Sequence, residues 1–118
     1  MIATVVTHAK KIHQRLVDLS RGITSKRSSK WPAVEHAHRK LFPTCAACGT
    51  ADSIQVHHCL PFHLHPELEL DPNNLISLCE KKGGLECHYN IGHHRDWKSY
   101  NPLVRADAST ALNRRASS

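Results

Sequence analysis

Acidic residues, aromatic rings and long apolar runs are all scarce in this chain. Aromatics make up only 5% of 118 residues and hydrophobic residues 40%. One small domain of this composition cannot bury a large core unaided, so a structural metal would add substantially to its stability. Ten acidic residues face sixteen Lys and Arg, leaving a formal charge of +6. That imbalance favours a polyanionic partner over a cationic one, with nucleic acid first among the candidates. No stretch approaches the length of a membrane span, and the longest apolar run near the N-terminus is too short for a secretion signal. The expected setting is therefore the cytosol or nucleoid, with no membrane partner. An even cysteine count is also lacking. Five cysteines fit a disulfide framework poorly and fit metal ligation in a reducing compartment better.

What is present falls into three parts. Residues 1–30 form a basic N-terminal helix and linker. Val5, Ala9, Ile12, Leu16 and Leu19 recur at steps of four and three, one face of a helix that Gly22 would stop. The linker that follows is polar and basic. Nine of the Lys and Arg precede Cys45 against only Asp18 and Glu35, which suits either a solvated face or one that tracks phosphates. Lys26, Arg27 and Lys30 are the nucleic-acid candidates in this part.

Residues 31–107 carry the main domain. Trp31-Pro32 opens a helix expected to reach Leu41 and stop before Pro43, with Ser29 as its cap and its apolar side laid against the Cys45 knuckle. His36 and His38 read as surface or packing residues. Ile54–His58 alternates as a strand, and Leu75–Leu78 reads as its returning partner. The long proline-bearing loop between them is of a length that usually signals function. Cys87 to Tyr100 is expected to be helical with Gly92 inside it. Residues 108–118 form a tail with a short helix around Leu112 that frays at its end.

The chemistry concentrates between Cys45 and His94. Cys45-x-x-Cys48 is a tight thiolate pair, and Cys79 and Cys87 return a second pair separated by seven residues, EKKGGLE, whose glycines let the chain loop out. Four soft ligands at these spacings suit tetrahedral Zn²⁺ in a closed, structural site. Cys59 is left over and reads as a small buried apolar residue. Between the pairs lie His57-His58 and Asn74, and after them His88, His93 and His94.

A histidine pair, an asparagine and a further histidine around such a knuckle resemble the HNH endonucleases, the ββα-metal nucleases. The resemblance spans roughly residues 31–107, and the RDWKSYNPLVRADA segment is similar to the corresponding part of small phage and prophage members. It implies an α+β, treble-clef-like fold with a zinc-bound core and flanking N-terminal helices. It further implies hydrolysis of DNA to 5′-phosphate and 3′-hydroxyl ends with Mg²⁺ or Mn²⁺. By resemblance His57 is a metal ligand, His58 the general base, and Asn74 the residue tying the base-bearing loop to the returning strand. His88 and a second helical histidine, His93 or alternatively His94, complete the catalytic metal site. A spacing of five between His88 and His93 is awkward on a regular helix, which Gly92 could relieve. Arg95, Lys98 and Arg105 are candidate phosphate contacts. Trp97 and Tyr100 suit base stacking or core packing, and His63 and His65 suit the surface. The competing reading is a zinc ribbon that binds nucleic acid without cutting it.

Overall fold

The computed structural model describes residues 26–117. The helix expected near residues 5–19 lies outside them. Four regular elements organise the rest: α1 (Trp31–Leu41), β1 (Ile54–His58), β2 (Leu75–Cys79) and α2 (Val104–Ser117). Together they make a small α+β unit around one two-stranded sheet.

The helix α1 occupies the span expected from Trp31-Pro32, but its start is built differently. Its first turn receives no side-chain cap from Ser29. Instead the Ser28 hydroxyl accepts from the Lys30 N–H and the Ser28 carbonyl accepts from Trp31 N–H. The Ser28 N–H in turn donates to both carboxylate oxygens of Glu69, at 3.1 and 3.2 Å. Ser28 thus meets two donors at the helix start locally, and Glu69 in a distant loop holds Ser28 in place, a partner no local pattern reveals. The helix lies across both strands of the sheet.

Strands β1 and β2 pair antiparallel, with Ile54 opposite Cys79, His57 opposite Ile76 and His58 opposite Leu75. All five residues of β2 are buried, so this strand is covered on both faces. One cover is α2, whose Val104 and Ala108 are both 1% exposed and join Cys45, Ala47 and Leu78 in the core. The helix therefore runs past residue 107 to Ser117, with Ala108 buried and Ala111 partly buried against the core while residues 112–117 are exposed. Its apolar face is made of small side chains, which weakens the periodic signal.

Cys87–Tyr100 does not form one continuous helix. Only His88–Gly92 is helical there, and as a single π-helical turn. His94 and Arg95 follow with φ of 50° and 64°, left-handed values that stop any helix. Buried Asn101 then binds the segment together. Its N–H donates to Gly92, its amide donates to the Ile91 carbonyl and the Asp107 carboxylate, and its side-chain oxygen accepts from Leu103 N–H.

Candidate metal centres and the histidine cavity

The Cys45–Gly49 turn closes on itself, with Gly49 N–H donating to the Cys45 carbonyl and Gly49 at φ 81°. Ala46 N–H donates to the Ser77 carbonyl and so fastens the turn to β2. Cys79 ends that strand, and Cys87 arrives after the EKKGGLE loop, its N–H 3.4 Å from the Cys79 sulfur. The four sulfurs of Cys45, Cys48, Cys79 and Cys87 all lie within 4.8 Å of one another. Every cysteine is a free thiol, and Cys48 and Cys79 sit 3.7 Å apart. Sulfurs sharing one tetrahedral zinc at about 2.3 Å would be separated by about 3.8 Å. The set is one that could hold a metal ion such as zinc.

Electrostatics points the same way. Burial acts to raise the Cys45 thiol, yet N–H groups of Ala47, Cys79 and Cys48 together bring it below its ordinary value. Burial pushes Cys48 up, and burial with the neighbouring Cys45 and Cys79 sulfurs pushes Cys87 far up. Four crowded thiols cannot all ionise alone, and a bound cation reverses that penalty. Cys59 stays outside this group, packed against the core with its thiol raised by burial.

On β1, His57 meets His88 and His93 from the π-helical turn. The His57 Nδ1 lies 3.1 Å from His88 Nε2, which lies 3.3 Å from His93 Nε2. An i→i+5 turn winds more widely than an α-helix, so residues five apart stack, which is how His88 and His93 come together. Gly92 makes the turn possible against the strand. A Cβ there would meet His57 Cε1 and Leu78 Cδ1, each at 3.2 Å. His94 is exposed and stands outside the cluster.

Proton placement tests whether this trio suits a cation. The His93 Nδ1 is 2.7 Å from the Ser99 carbonyl, an acceptor only, so that nitrogen carries the hydrogen. The His88 Nδ1 likewise donates to the Glu80 carboxylate at 3.0 Å. Both Nε2 atoms are then lone pairs facing each other at 3.3 Å, whichever tautomer His57 adopts. Neither His57 nor His88 readily takes an extra proton. Burial, helped by His88, His93 and His58, holds His57 at about 3, and burial also lowers His88. The other ring nitrogen of His57, Nε2, is buried without a partner among the described residues. Two nitrogens bound at about 2.1 Å to one ion would stand roughly 3.0–3.4 Å apart, the separation found. The residues fit a metal, with Glu80 and the Ser99 carbonyl setting the ring orientations.

His58 lines the same cavity, about 320 Å³ in volume. Its Nε2–H donates to the Glu69 carbonyl at 2.9 Å and its ring packs 4.5 Å from that of Trp31. This bond leaves Nδ1 as the lone-pair nitrogen, and burial lowers the imidazole's pKa. Asn74 is buried and fastens the loop behind it. Its side-chain oxygen accepts from Leu60 N–H, and its amide donates to the Leu60 and Leu68 carbonyls. Trp97 covers the outer side, its ring 4.9 Å from His93 and 5.2 Å from His88, with about half its surface exposed.

The basic candidates divide. Arg27 lines the cavity, whereas exposed Lys26, Lys30, Arg95 and Lys98 do not. Arg105 is spent on structure, donating to the carbonyls of Asn73 and Leu75. His63 is exposed at the cavity edge, and His65 sits 3.3 Å from Glu67. A larger cavity, about 720 Å³, opens between α1, β2 and α2. Among the described residues it contains no cluster of ligating side chains, so size does not mark the chemistry here. Glu69, Glu80 and Ser99 are site residues that sequence reading missed. Two of them act through carbonyl groups, which carry no residue signature.

Comparison with protein-family models, curated proteins and solved structures found no match.

Proposed function

We propose that this protein is a metal-dependent nuclease of the HNH, ββα-metal type that hydrolyses phosphodiester bonds in DNA. The observation that carries the reading is the convergence of three histidine nitrogens, two with their lone pairs set by outer partners, beside a fourth histidine oriented as a base. A non-catalytic zinc module accounts for the four cysteines but gives no reason for that convergence. A divalent cation held by His57, His88 and His93 would supply Lewis-acid stabilisation of negative charge on the phosphate and the departing oxygen. Zn²⁺ is the ion proposed for the cysteine cluster, and Mg²⁺ or Mn²⁺ for the histidines.

The protein's own groups do the rest. His58 Nδ1 takes a proton from water as the water oxygen bonds to phosphorus and the bond from phosphorus to the 3′ oxygen breaks. Donation from Nε2 to the Glu69 carbonyl keeps the ring in the accepting tautomer and steadies the imidazolium that forms. Asn74 holds the loop bearing that carbonyl against β2. The departing 3′ oxygen takes a proton from solvent and His58 returns its own to solvent, so the products carry 5′-phosphate and 3′-hydroxyl ends.

Supercoiled plasmid incubated with the protein and increasing Mg²⁺ or Mn²⁺ should be relaxed or linearised, and chelator should stop the reaction. Absence of metal-dependent cleavage of DNA would contradict the proposal and favour a zinc-bound module that only binds nucleic acid.

A further inference from the structure

We infer that Arg27 forms a phosphate subsite on the rim of the histidine cavity, contacting the phosphate under attack rather than tracking distant backbone. The inference rests on the nuclease reading for its substrate, a phosphodiester, but its structural basis is separate. Arg27 shares the cavity wall with His57, His58, His88 and His93. Its guanidinium carbon lies 4.5 Å from the Phe62 ring centroid and 5.6 Å from that of Trp31. Two aromatic surfaces thus hold a side chain that would otherwise sample many rotamers.

Its ion pair leaves donors available. The Glu69 carboxylate is only 1% exposed, but both of its oxygens already accept from Ser28 N–H. Arg27 Nη1 approaches it no closer than 3.9 Å, beyond hydrogen-bond reach, and the arginine side chain remains 52% exposed. Among the described residues the guanidinium makes no shorter polar contact. A planar cation with unspent N–H donors, stacked in place beside metal-binding and base histidines, matches the geometry of a phosphate's oxygens. Glu69 links the two functions, since its carboxylate anchors the Arg27–Ser28 segment and its carbonyl orients His58.

The test uses the full chain and two probes, with Arg27→Ala, Arg27→Lys and, as a charge-loss control on an exposed site of α1, Lys40→Ala. Hydrolysis of bis(4-nitrophenyl) phosphate at saturating Mn²⁺ reports the reacting phosphate without an extended backbone. Arg27→Ala should lose about 100-fold in kcat/KM, comparable with removal of one transition-state donor. Arg27→Lys should recover part of that loss, and Lys40→Ala should match the parent. Inorganic phosphate binding to the Mn²⁺-loaded protein, followed by calorimetry, gives a readout apart from turnover. Arg27→Ala should weaken it at least tenfold with metal content unchanged. If the parent hydrolyses no phosphodiester, the nuclease reading fails while the subsite is still decided by phosphate binding. Equal phosphate affinity in parent and Arg27→Ala, or hydrolysis by an active parent no faster than by Arg27→Ala, overturns the inference.

Discussion

At position 92 the missing side chain is what His57 uses. The glycine φ is not in the left-handed region, so alanine is allowed by the backbone and its effect isolates the contact with the ring. Gly92→Ala should push the His57 imidazole off its position. Loss of ring support typically weakens metal binding by about 10–100-fold. Calorimetric titration with Mn²⁺ should record such a loss while the cysteine cluster keeps its zinc. His57 also makes a pH prediction for the protein with the histidine site metal-free. Its folded-state value, about 3, lies below the ordinary 6.5. The unfolded chain therefore binds a proton that the folded one refuses between those values. Stability from this group is complete above pH 6.5 and falls as pH drops towards 3, by about 1.4 kcal/mol per pH unit for one proton. Denaturant midpoints measured from pH 7 to 4 should fall, and His57→Phe should flatten the slope. These residues were legible as candidates because histidine and cysteine announce ligand chemistry by type. Their supports were not. Glu80 and Glu69 lie eight and eleven residues from the histidines they orient, and the Ser99 and Glu69 contacts use backbone carbonyls that any residue could supply.

At the level of elements, the sequence patterns located α1 and β1 to the residue and placed β2 one residue short. Each has a local cause: proline in the first helical turn, alternation in β1, and the Pro72-Asn73-Asn74 turn before β2. Two elements were foreseen only in part, one in the wrong form and one too short, because their causes are not local. The π-helical turn exists because Gly92 packs on His57 from a strand more than thirty residues earlier. Helix α2 exists because Val104 and Ala108 fill the core beside the cysteines, a face too small-chained to show a strong period. Its role can be measured by truncation. Ending the chain after Asp107 removes Ala108 and the partly buried Ala111 from that core. A loss of about 1–2 kcal/mol would lower Tm by about 5–15 °C. Ending it after Arg114 removes, among the described residues, only exposed ones and should change Tm by less than about 2 °C. Equal Tm values for the two truncations would show that residues 108–114 are not part of the packed unit.

The whole molecule is small, short of apolar area and positively charged, and each property yields an expectation. Two ligand clusters of different chemistry should be filled separately. One zinc per chain should resist mild chelation, and Cys48→Ser should lose zinc and cooperative unfolding, because folding and a closed thiolate site are coupled. A folded Cys48→Ser protein with unchanged zinc content would contradict that. No helix among the described residues is long and apolar enough to cross a membrane. Replacing exposed Lys26 and Lys30 with alanine should lower DNA affinity and reduce the log–log salt slope by about 0.9 per lost phosphate contact. An unchanged slope would make these residues bystanders. The proposal that most else depends on is His58 as the base of a metal-dependent cleavage site. It is tested most directly by comparing the parent and His58→Ala on supercoiled plasmid across a Mg²⁺ and Mn²⁺ series, with zinc content and DNA binding measured on the same preparations. Cleavage should fall by at least about 100-fold, with zinc and DNA binding intact. Cleavage by His58→Ala at the parental rate would contradict it.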